Sequence, residues 1–499
     1  MKRKTKTCLL ATIGVVGAII AAIGGALLHF YPVIFDELLL EKTRLVKGTM
    51  GYANWKNPPA DIHLDFYVWH LENPLEVEKG HKPNVTQRGP YTYRESREKV
   101  DVVKHDNGTL SYVQPLSFVV DPDSEYDPMT DNITTLNIPL LTVIDQLQFT
   151  PELVQYFFNE LAELFIKHIH STHTVHDFIW GYFSPLLALA KILEPDKVPK
   201  DHFGIYVDRN NSNDGVYTVF DGVKDHTKTS SVDTWKGMDS LPYWTTKYGN
   251  MLNGTDGTYF GQLLSKEDSL YIFVSDICRS VKTTFHKETV TRDNPTWRFT
   301  VPSSVFQNVS ANPDNVAFCT PDESHCLPGG LLNISLCQFG APIYFSLPHF
   351  LHADPEVLEM VNGVHPDRDL HETFIDVEPY TGAPLNISKR SQINTHLQPY
   401  HFIDFYRHVP EAYVPLVWMN ERSEVTKEAA QQIRNQLRVP LAIGKYGPWS
   451  VLALGLFVVL LAVVCLGCLW RKDKESLHVQ GNENANNEYN ASESGRLLM

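Results

Sequence analysis

Two long apolar runs dominate the pattern along this chain. The first covers residues 9–30 and the second extends from Trp449 to Trp470, and neither contains Asp, Glu, Lys or Arg. A helix of about 20 apolar residues is long enough to cross a bilayer, whereas a core helix of a soluble protein is rarely apolar over that length. We therefore predict two transmembrane helices, over residues 9–30 and 446–470.

Basic residues flank both runs on their outer sides, within residues 2–6 and 471–474. Lysine and arginine accumulate on the cytoplasmic side of a membrane span. We therefore predict that residues 1–8 and 471–499 are cytosolic and that residues 31–445 form one lumenal or extracellular domain. A cleaved signal peptide is the alternative for the first run, but the run is longer than the usual apolar h-region of a signal peptide, about 7 to 15 residues, and no convincing small-residue cleavage site follows it.

Between the spans, short alternating runs predict strands. Apolar and polar residues alternate in Ile62–Trp69, Tyr217–Phe220 and Leu270–Val274, and turn-forming pairs such as Asn107-Gly108 separate such runs. No linker-like stretch interrupts residues 31–445. The pattern predicts one large domain with a mainly antiparallel β core.

Two stretches, Thr150–His168 and Val175–Leu193, have helical periodicity instead. Thr150 is the predicted N-cap of the first, and Pro151 its first helical residue. The apolar stripe of this helix consists of Leu153, Val154, Phe157, Phe158, Leu161, Leu164 and Phe165. Such a stripe either packs on the core or forms a docking surface for a partner protein or lipid, and the sequence leaves both open.

Four histidines follow this helix: His168, His170, His173 and His176. An unperturbed histidine has a pKa near 6.5, so these side chains would gain charge between a neutral and an acidic compartment. We interpret them as candidate pH sensors for docking, with ordinary surface histidines as the alternative. Their spacing follows no helix face, and no metal site is expected.

Composition excludes several function classes. The net charge of −15 argues against nucleic acid as a partner. The sequence contains no GxSxG, HExxH, P-loop or GxGxxG motif. We expect no catalytic site and no cofactor.

The seven cysteines fall into two groups. Three lie at the cytosolic ends of the spans and are either palmitoylation sites or space-filling thiols: Cys8, Cys465 and Cys468. Four lie in the ectodomain: Cys278, Cys319, Cys326 and Cys337. An even number in an oxidising compartment indicates two disulfides, for which spacing alone allows three pairings.

Glycan acceptors support the same topology. Eight Asn-x-Ser/Thr sequons lie between the spans: Asn84, Asn107, Asn132, Asn210, Asn253, Asn308, Asn333 and Asn386. They indicate a glycosylated surface and a secretory route.

The C-terminal tail ends in a sorting pattern. Glu493 precedes the pair Leu497 and Leu498 by four residues, which fits an acidic dileucine signal. We predict that clathrin adaptors read this tail and that it directs the protein to lysosomes.

Several long motifs point to one family. They are RGPYTYRE (88–95), THTVHDFIWGY (172–182), NDGVYTVFDG (213–222), LNGTDG (252–257), GAPIYFSLPHFLHADP (340–355) and HPDRDLHETFIDVEPYTG (365–382). In this order they resemble the class B scavenger receptors, the family of the fatty-acid translocase. The resemblance covers both spans and nearly the whole ectodomain.

The resemblance implies an α+β ectodomain with an antiparallel β-barrel core, an apical helical bundle and an internal apolar tunnel. It also implies the disulfides Cys278–Cys337 and Cys319–Cys326. The implied ligands are lipids, namely cholesterol, phospholipid or fatty acid.

Within the family, TLNIPLLTVI (135–144) and VSDICRSV (274–281) look most like a lysosomal member, in which the segment corresponding to Thr150–His168 docks the hydrolase glucocerebrosidase and releases it in acid. The implied protein is a receptor of the lysosomal or late endosomal membrane that binds lumenal cargo and moves lipid. A plasma-membrane receptor for lipoprotein or fatty-acid uptake by endocytosis is the alternative, and an ecto-enzyme is the distant one. Homo-oligomerisation is left open.

Overall fold

The computed structural model describes residues 2–193, 198, 200–338 and 340–496. The side chains of residues 2, 3, 161, 163–165, 193 and 485–496 lie outside this description. The chain forms two compact units. One is Leu40–Ala430, and the other combines Met1–Leu39 with Gln431–Met499. The larger unit lies within residues 31–445, the range predicted as the ectodomain, and we refer to it as the ectodomain unit although its side of the membrane stays a prediction.

The helices and strands of the described chain have the following bounds. The helices are α1 Lys2–Thr43, α2 Met50–Lys56, α3 Pro74–Val77, α4 Ile138–Leu147, α5 Glu152–Phe165, α6 Val175–Trp180, α7 Pro185–Leu193, α8 Pro355–Glu359, α9 Arg368–His371, α10 Lys427–Ile433 and α11 Val439–Arg496. The strands are β1 Ala60–Leu71, β2 Val85–Arg97, β3 Val100–Lys104, β4 Thr109–Val113, β5 Leu116–Val120, β6 Asn132–Leu136, β7 His170–Thr174, β8 Tyr182–Phe183, β9 His202–Phe203, β10 Tyr217–Phe220, β11 Val232–Trp235, β12 Ser269–Val274, β13 Arg279–Thr291, β14 Asn294–Thr300, β15 Leu332–Asn333, β16 Ile343–Ser346, β17 Phe374–Glu378, β18 Ala383–Leu397 and β19 Ala412–Val425.

One large antiparallel sheet forms the centre of the ectodomain unit. Its order is β12-β13-β14-β17-β18-β19-β1-β2-β5, and β16 joins it beside β18 together with β15. The predicted strands Ile62–Trp69, Tyr217–Phe220 and Leu270–Val274 are confirmed as β1, β10 and β12. The α+β class with an antiparallel core is therefore correct.

The predicted closed barrel is not formed by the described strands. The ends of the sheet order are β12 and β5, and no ladder joins them. Each edge is covered by a loop residue instead, since Ile272 of β12 bridges to Thr255 and Leu116 of β5 bridges to Ser212. An edge strand whose hydrogen-bonding groups meet a loop cannot close the sheet at that position.

Helices α4 to α7 each contribute residues to, or pack against, the main apolar core, and the apical bundle that the resemblance implied stays a prediction. Asn137 caps α4 by accepting the Leu140 N–H at 3.2 Å. The α4 residues Ile138, Leu140, Leu141 and Ile144 are buried in the main apolar core. The same core includes residues of β1 and β2, so these helices pack on the large sheet.

The second predicted helix, Val175–Leu193, is wrong as a single element. It consists of α6, the short strand β8 and α7. Gly181 ends α6 with φ of +126°, a conformation that residues with a Cβ rarely adopt, and Pro185 begins α7. A period of 3.6 in the sequence did not reveal this break.

In the other unit, α1 and α11 pack through small residues. A Cβ on Gly24 would lie 2.4 Å from the Leu452 backbone nitrogen, and one on Gly455 would lie 2.2 Å from the Ala21 nitrogen. Small residues permit this close approach in membrane helix pairs. Both helices are long and apolar enough to span a membrane, which agrees with the predicted two-span topology.

Candidate functional site

Helix α5 is held by hydrogen bonds at its first turn. The predicted N-cap is wrong, because Pro151 occupies that position without a side-chain cap. The Thr150 hydroxyl instead donates to the Leu147 carbonyl at 2.7 Å. Gln155 Nε2 also donates to the Leu147 carbonyl, at 3.1 Å. These bonds fix the turn between α4 and α5 and set the direction in which α5 leaves it.

A buried asparagine fixes the rotation of α5 about its axis. Asn159 Nδ2 donates to Asp404 Oδ2 at 3.3 Å, and Asn159 Oδ1 accepts the Asp404 N–H at 3.0 Å. Ala162, on the same face, is buried, and Phe158 is half-buried against the main core. The face that the sequence assigned to solvent, which contains Gln155 and Asn159, is therefore turned inward in part.

As a result, a row of large apolar side chains faces outward. Leu153 is 65% exposed, Phe157 63%, Tyr156 58% and Val154 46%. We call these four residues the α5 apolar surface. Of the two interpretations of the stripe, a docking surface agrees better with this exposure than simple core packing does. The side chains of Leu161, Leu164 and Phe165, also predicted for the stripe, lie outside the described part.

A second feature is a chain of ion pairs on the core face of the large sheet. Its members, the internal network, are Glu95, Arg97, Arg209, Asp276, Lys389 and Glu421. Arg97 bridges Glu95 and Glu421, with 2.5 Å to Glu421. Lys389 Nζ lies 3.3 Å from carboxylate oxygens of both Glu421 and Asp276. Arg209 completes the chain at Asp276.

The network lies on the same side of β2 as the apolar core. Tyr93, Glu95 and Arg97 alternate along β2, so their side chains share one face. Tyr93 is buried in the main core. Nevertheless, the side chain of Lys389 is 37% exposed and that of Asp276 41%. Solvent therefore reaches charged groups on the core face of the sheet.

The three carboxyl groups of the internal network differ in pKa because their surroundings differ. Burial, reinforced by Glu421, raises the pKa of Glu95 to about 7 against the opposing effect of Arg97. Although burial opposes ionisation, Arg209 and Lys389 lower the pKa of Asp276 to about 2. Arg97 and Lys389 do the same for Glu421, also against burial. Among these three carboxyl groups, Glu95 titrates between neutral and acidic pH.

The four histidines do not form one group. His168 and His170 lie beside Glu78, whereas the His173 ring stacks on Tyr182 and His176 lies 3.5 Å from Asp177. Burial lowers the pKa of both His170 and His173. These two therefore gain charge at a lower pH than an exposed histidine does, and their role as pH sensors stays a prediction.

The cysteines agree with the implied pairing to different extents. Cys319 and Cys326 form a disulfide, which confirms that pair. Cys278 and Cys337 are thiols in one apolar cluster, and the hydrogen bond from Cys337, with burial, raises the pKa of Cys278. The bond between them stays a prediction. The other three, Cys8, Cys465 and Cys468, are exposed thiols.

The sequons differ in accessibility. Five are exposed: Asn84, Asn107, Asn132, Asn210 and Asn253. Three are half-buried: Asn308, Asn333 and Asn386. In Asn308 the Nδ2 atom, to which a glycan would attach, donates to Asp354 at 2.8 Å. The Nδ2 atoms of the exposed Asn132 and Asn210 also donate, to the Thr130 and Phe118 carbonyls, and glycosylation of the eight sequons stays a prediction. In the sorting pattern, the Glu493 backbone is part of α11, and Leu497 and Leu498 lie outside the described residues.

The similarity of this chain to known proteins agrees with the resemblance that the sequence motifs indicated. The sequence model of the CD36 family matches residues 15–466. Lysosome membrane protein 2 of Mus musculus is 37% identical over 424 residues, which cover 85% of this chain and 87% of that protein. The Homo sapiens protein of the same name is 36% identical over 426 residues, with the same coverage. Scavenger receptor class B member 1 of Mus musculus is 32% identical over 454 residues, or 91% of this chain and 88% of that receptor.

Proposed function

Because this chain belongs to the CD36 family, we propose that it is a receptor of the lysosomal and late endosomal membrane that captures lumenal protein cargo and carries lipid through its ectodomain. The lysosomal location is supported by the 37% identity to a protein named for the lysosome membrane and by the dileucine pattern in the tail. The plasma membrane is the alternative, supported by the similarity to scavenger receptor class B member 1.

The α5 apolar surface carries the cargo part of the proposal. Its four large side chains adjoin on one helix whose rotation the Asn159–Asp404 pair fixes. Aromatic side chains that become fully desolvated in an interface commonly dominate its binding energy. A preformed row that contains Tyr156 and Phe157 is suited to bind an apolar groove on a lumenal hydrolase such as glucocerebrosidase.

The internal network supports the lipid part. Arg209 and Lys389 are cations that solvent reaches, and the core beside them contains Phe66 and Tyr206, whose ring centroids are 5.1 Å apart. Cationic groups next to an aromatic core suit a molecule with an anionic or polar head and an apolar chain. Fatty acids and phospholipids have this chemistry, and cholesterol, with a single hydroxyl, depends more on the apolar part.

The test is Phe157→Asp. Phe158 is unsuitable for it, because that side chain packs on the core. An unpaired carboxylate in a desolvated patch should lower affinity for glucocerebrosidase by at least about 30-fold, which corresponds to roughly 2 kcal/mol. Binding is measured by co-purification and surface plasmon resonance at neutral and acidic pH. Lipid transfer, measured with fluorescent cholesterol and fatty acid, should be unchanged.

The matched control is Val290→Asp, a substitution at a similarly exposed residue (65%) at the β13–β14 hairpin. It should retain cargo binding. If Phe157→Asp folds, leaves the endoplasmic reticulum and still binds the hydrolase as wild type does, α5 is not the cargo surface and lipid handling becomes the main function.

A further inference from the structure

Two histidines converge with a glutamate where the chain passes from α5 into β7. His168 and His170 are two residues apart, and extended backbone places such a pair of side chains on the same side. Their rings lie 4.8 Å apart, centroid to centroid, at 29°. The helix-based spacing test in the sequence did not detect this pair, because the segment is extended at His170.

The glutamate comes from a distant part of the chain. Glu78 follows α3, and its Oε1 atom accepts the backbone N–H of Ile169 at 3.0 Å. This bond fixes the carboxylate between the two imidazoles. Glu78 Oε1 is 3.3 Å from Nδ1 of His168 and 3.3 Å from Nδ1 of His170.

These separations match those of a tetrahedral metal site. Zinc binds histidine nitrogen and carboxylate oxygen at about 2.0 to 2.2 Å, so adjacent ligands of a tetrahedron lie about 3.3 to 3.5 Å apart. One ligand atom from each of the three residues lies within 4.8 Å of the other two. Small side-chain rotations bring all three within reach of one ion.

One ligand atom also lies near a carboxylate oxygen, that of Glu78, without forming a well-aligned hydrogen bond to it. The Nδ1 atom of His170 is buried and makes no hydrogen bond of acceptable geometry within the described structure. A buried polar atom without a partner carries a desolvation cost. Coordination to a cation would remove that cost.

We propose that Glu78, His168 and His170 form a site for a divalent transition metal ion, for which Zn²⁺ is the probe. Two imidazoles favour zinc over calcium or magnesium, which prefer oxygen ligands. The His168 side chain is 48% exposed, so ions can enter from solvent and a fourth position remains open to water or a partner's side chain. The ion would join α3 to the segment between α5 and β7.

The experiment uses the full chain in detergent, purified through a tag without histidine and stripped with a chelator. Zinc binding is measured by equilibrium dialysis with metal analysis and by the thermal shift that zinc produces. Wild type should bind one equivalent with a raised Tm. Glu78→Gln keeps an oxygen that can accept the Ile169 N–H but loses the charge, and His170→Gln removes a ligand. Each should weaken zinc binding at least tenfold, since loss even of outer-shell groups costs about 10- to 100-fold.

The matched control is His176→Gln. His176 also lies near a carboxylate, that of Asp177, but this pair does not include either histidine of the proposed site. The His176→Gln variant should keep full zinc binding. In both this variant and wild type, calcium should not replace zinc. The chelated Tm of each variant is compared with that of chelated wild type to separate metal loss from misfolding. The proposal is overturned if wild type binds no stoichiometric zinc, if folded Glu78→Gln binds as wild type does, or if His176→Gln loses the same ion.

Discussion

Glu95→Gln is expected to make the protein more stable at neutral pH, although it removes an ion pair. The Glu95 side chain is almost fully buried between Arg97 and the core, and burial raises the pKa of its carboxyl group to about 7 from an ordinary 4.5. The folded state therefore favours the neutral form. Glutamine imitates that neutral form at every pH.

The sign and size follow from linkage. A carboxyl group whose pKa is higher in the folded state stabilises fully below pH 4.5, and this stability is lost as pH rises through about 7. At about 1.4 kcal/mol per pH unit, the full loss over 2.5 units is about 3.5 kcal/mol, of which about 2.5 kcal/mol falls between about pH 5 and 8. Glu421 and Asp276, whose pKa values are lowered to about 2, contribute only at lower pH.

Urea unfolding of the full chain in detergent, followed by tryptophan fluorescence at several pH values, measures this difference. The midpoint of Glu95→Gln should exceed that of wild type by an amount that grows as pH rises and falls to about a quarter of its full size near pH 5. Glu98→Gln, at an exposed neighbouring glutamate paired with Lys56, should show no such trend. A gap between Glu95→Gln and wild type that is constant with pH, or that shrinks as pH rises, would refute the argument.

Two further predictions concern localisation and covalent structure. Replacing both Leu497 and Leu498 with alanine should shift the protein toward the plasma membrane, because adaptors bury the paired side chains. Surface biotinylation combined with lysosomal co-staining measures this shift. Unchanged lysosomal staining would exclude a dominant role for the dileucine signal in sorting. Peptide mapping without reduction should recover a Cys278–Cys337 crosslink. Cys278→Ser should then cost about 2 to 5 kcal/mol and retain the protein early in secretion, whereas a free thiol at either position in the exported protein would contradict the pairing.

The elements that the sequence predicted correctly are those specified locally. The two spans depend on uninterrupted apolar length, and β1 depends on alternation within Ile62–Trp69. Both patterns are read from neighbouring residues, and the structure places helices and a strand there. The predicted helix Val175–Leu193 failed because one glycine, Gly181, changes the chain direction within a periodic run.

The features that the sequence did not predict depend on distant partners. The outward turn of α5 is set by Asn159 with Asp404, which is 245 residues away. Glu78 lies 90 residues from His168. Sequence periodicity does not indicate such pairs, because each of these residues, taken alone, looks like an ordinary surface residue. Asn159 lies on the polar face opposite the predicted stripe, so the sequence contained no sign that its amide is buried and bound to a specific partner.

The internal network connects the proposed compartment with the proposed ligand. At neutral pH and above, its three cations face three carboxylates, of which Glu95 is the one that gains a proton as pH falls below about 7. In an acidic lumen, three cations then face two carboxylates, and the network carries an excess positive charge on the core face of the sheet. Opposite charges attract each other, although the solvent that reaches Lys389 and Asp276 weakens the attraction. If the proposed lipid ligand reaches this network, we expect an anionic head to bind more tightly in acid, the same condition in which the protonated form of Glu95 contributes most to stability.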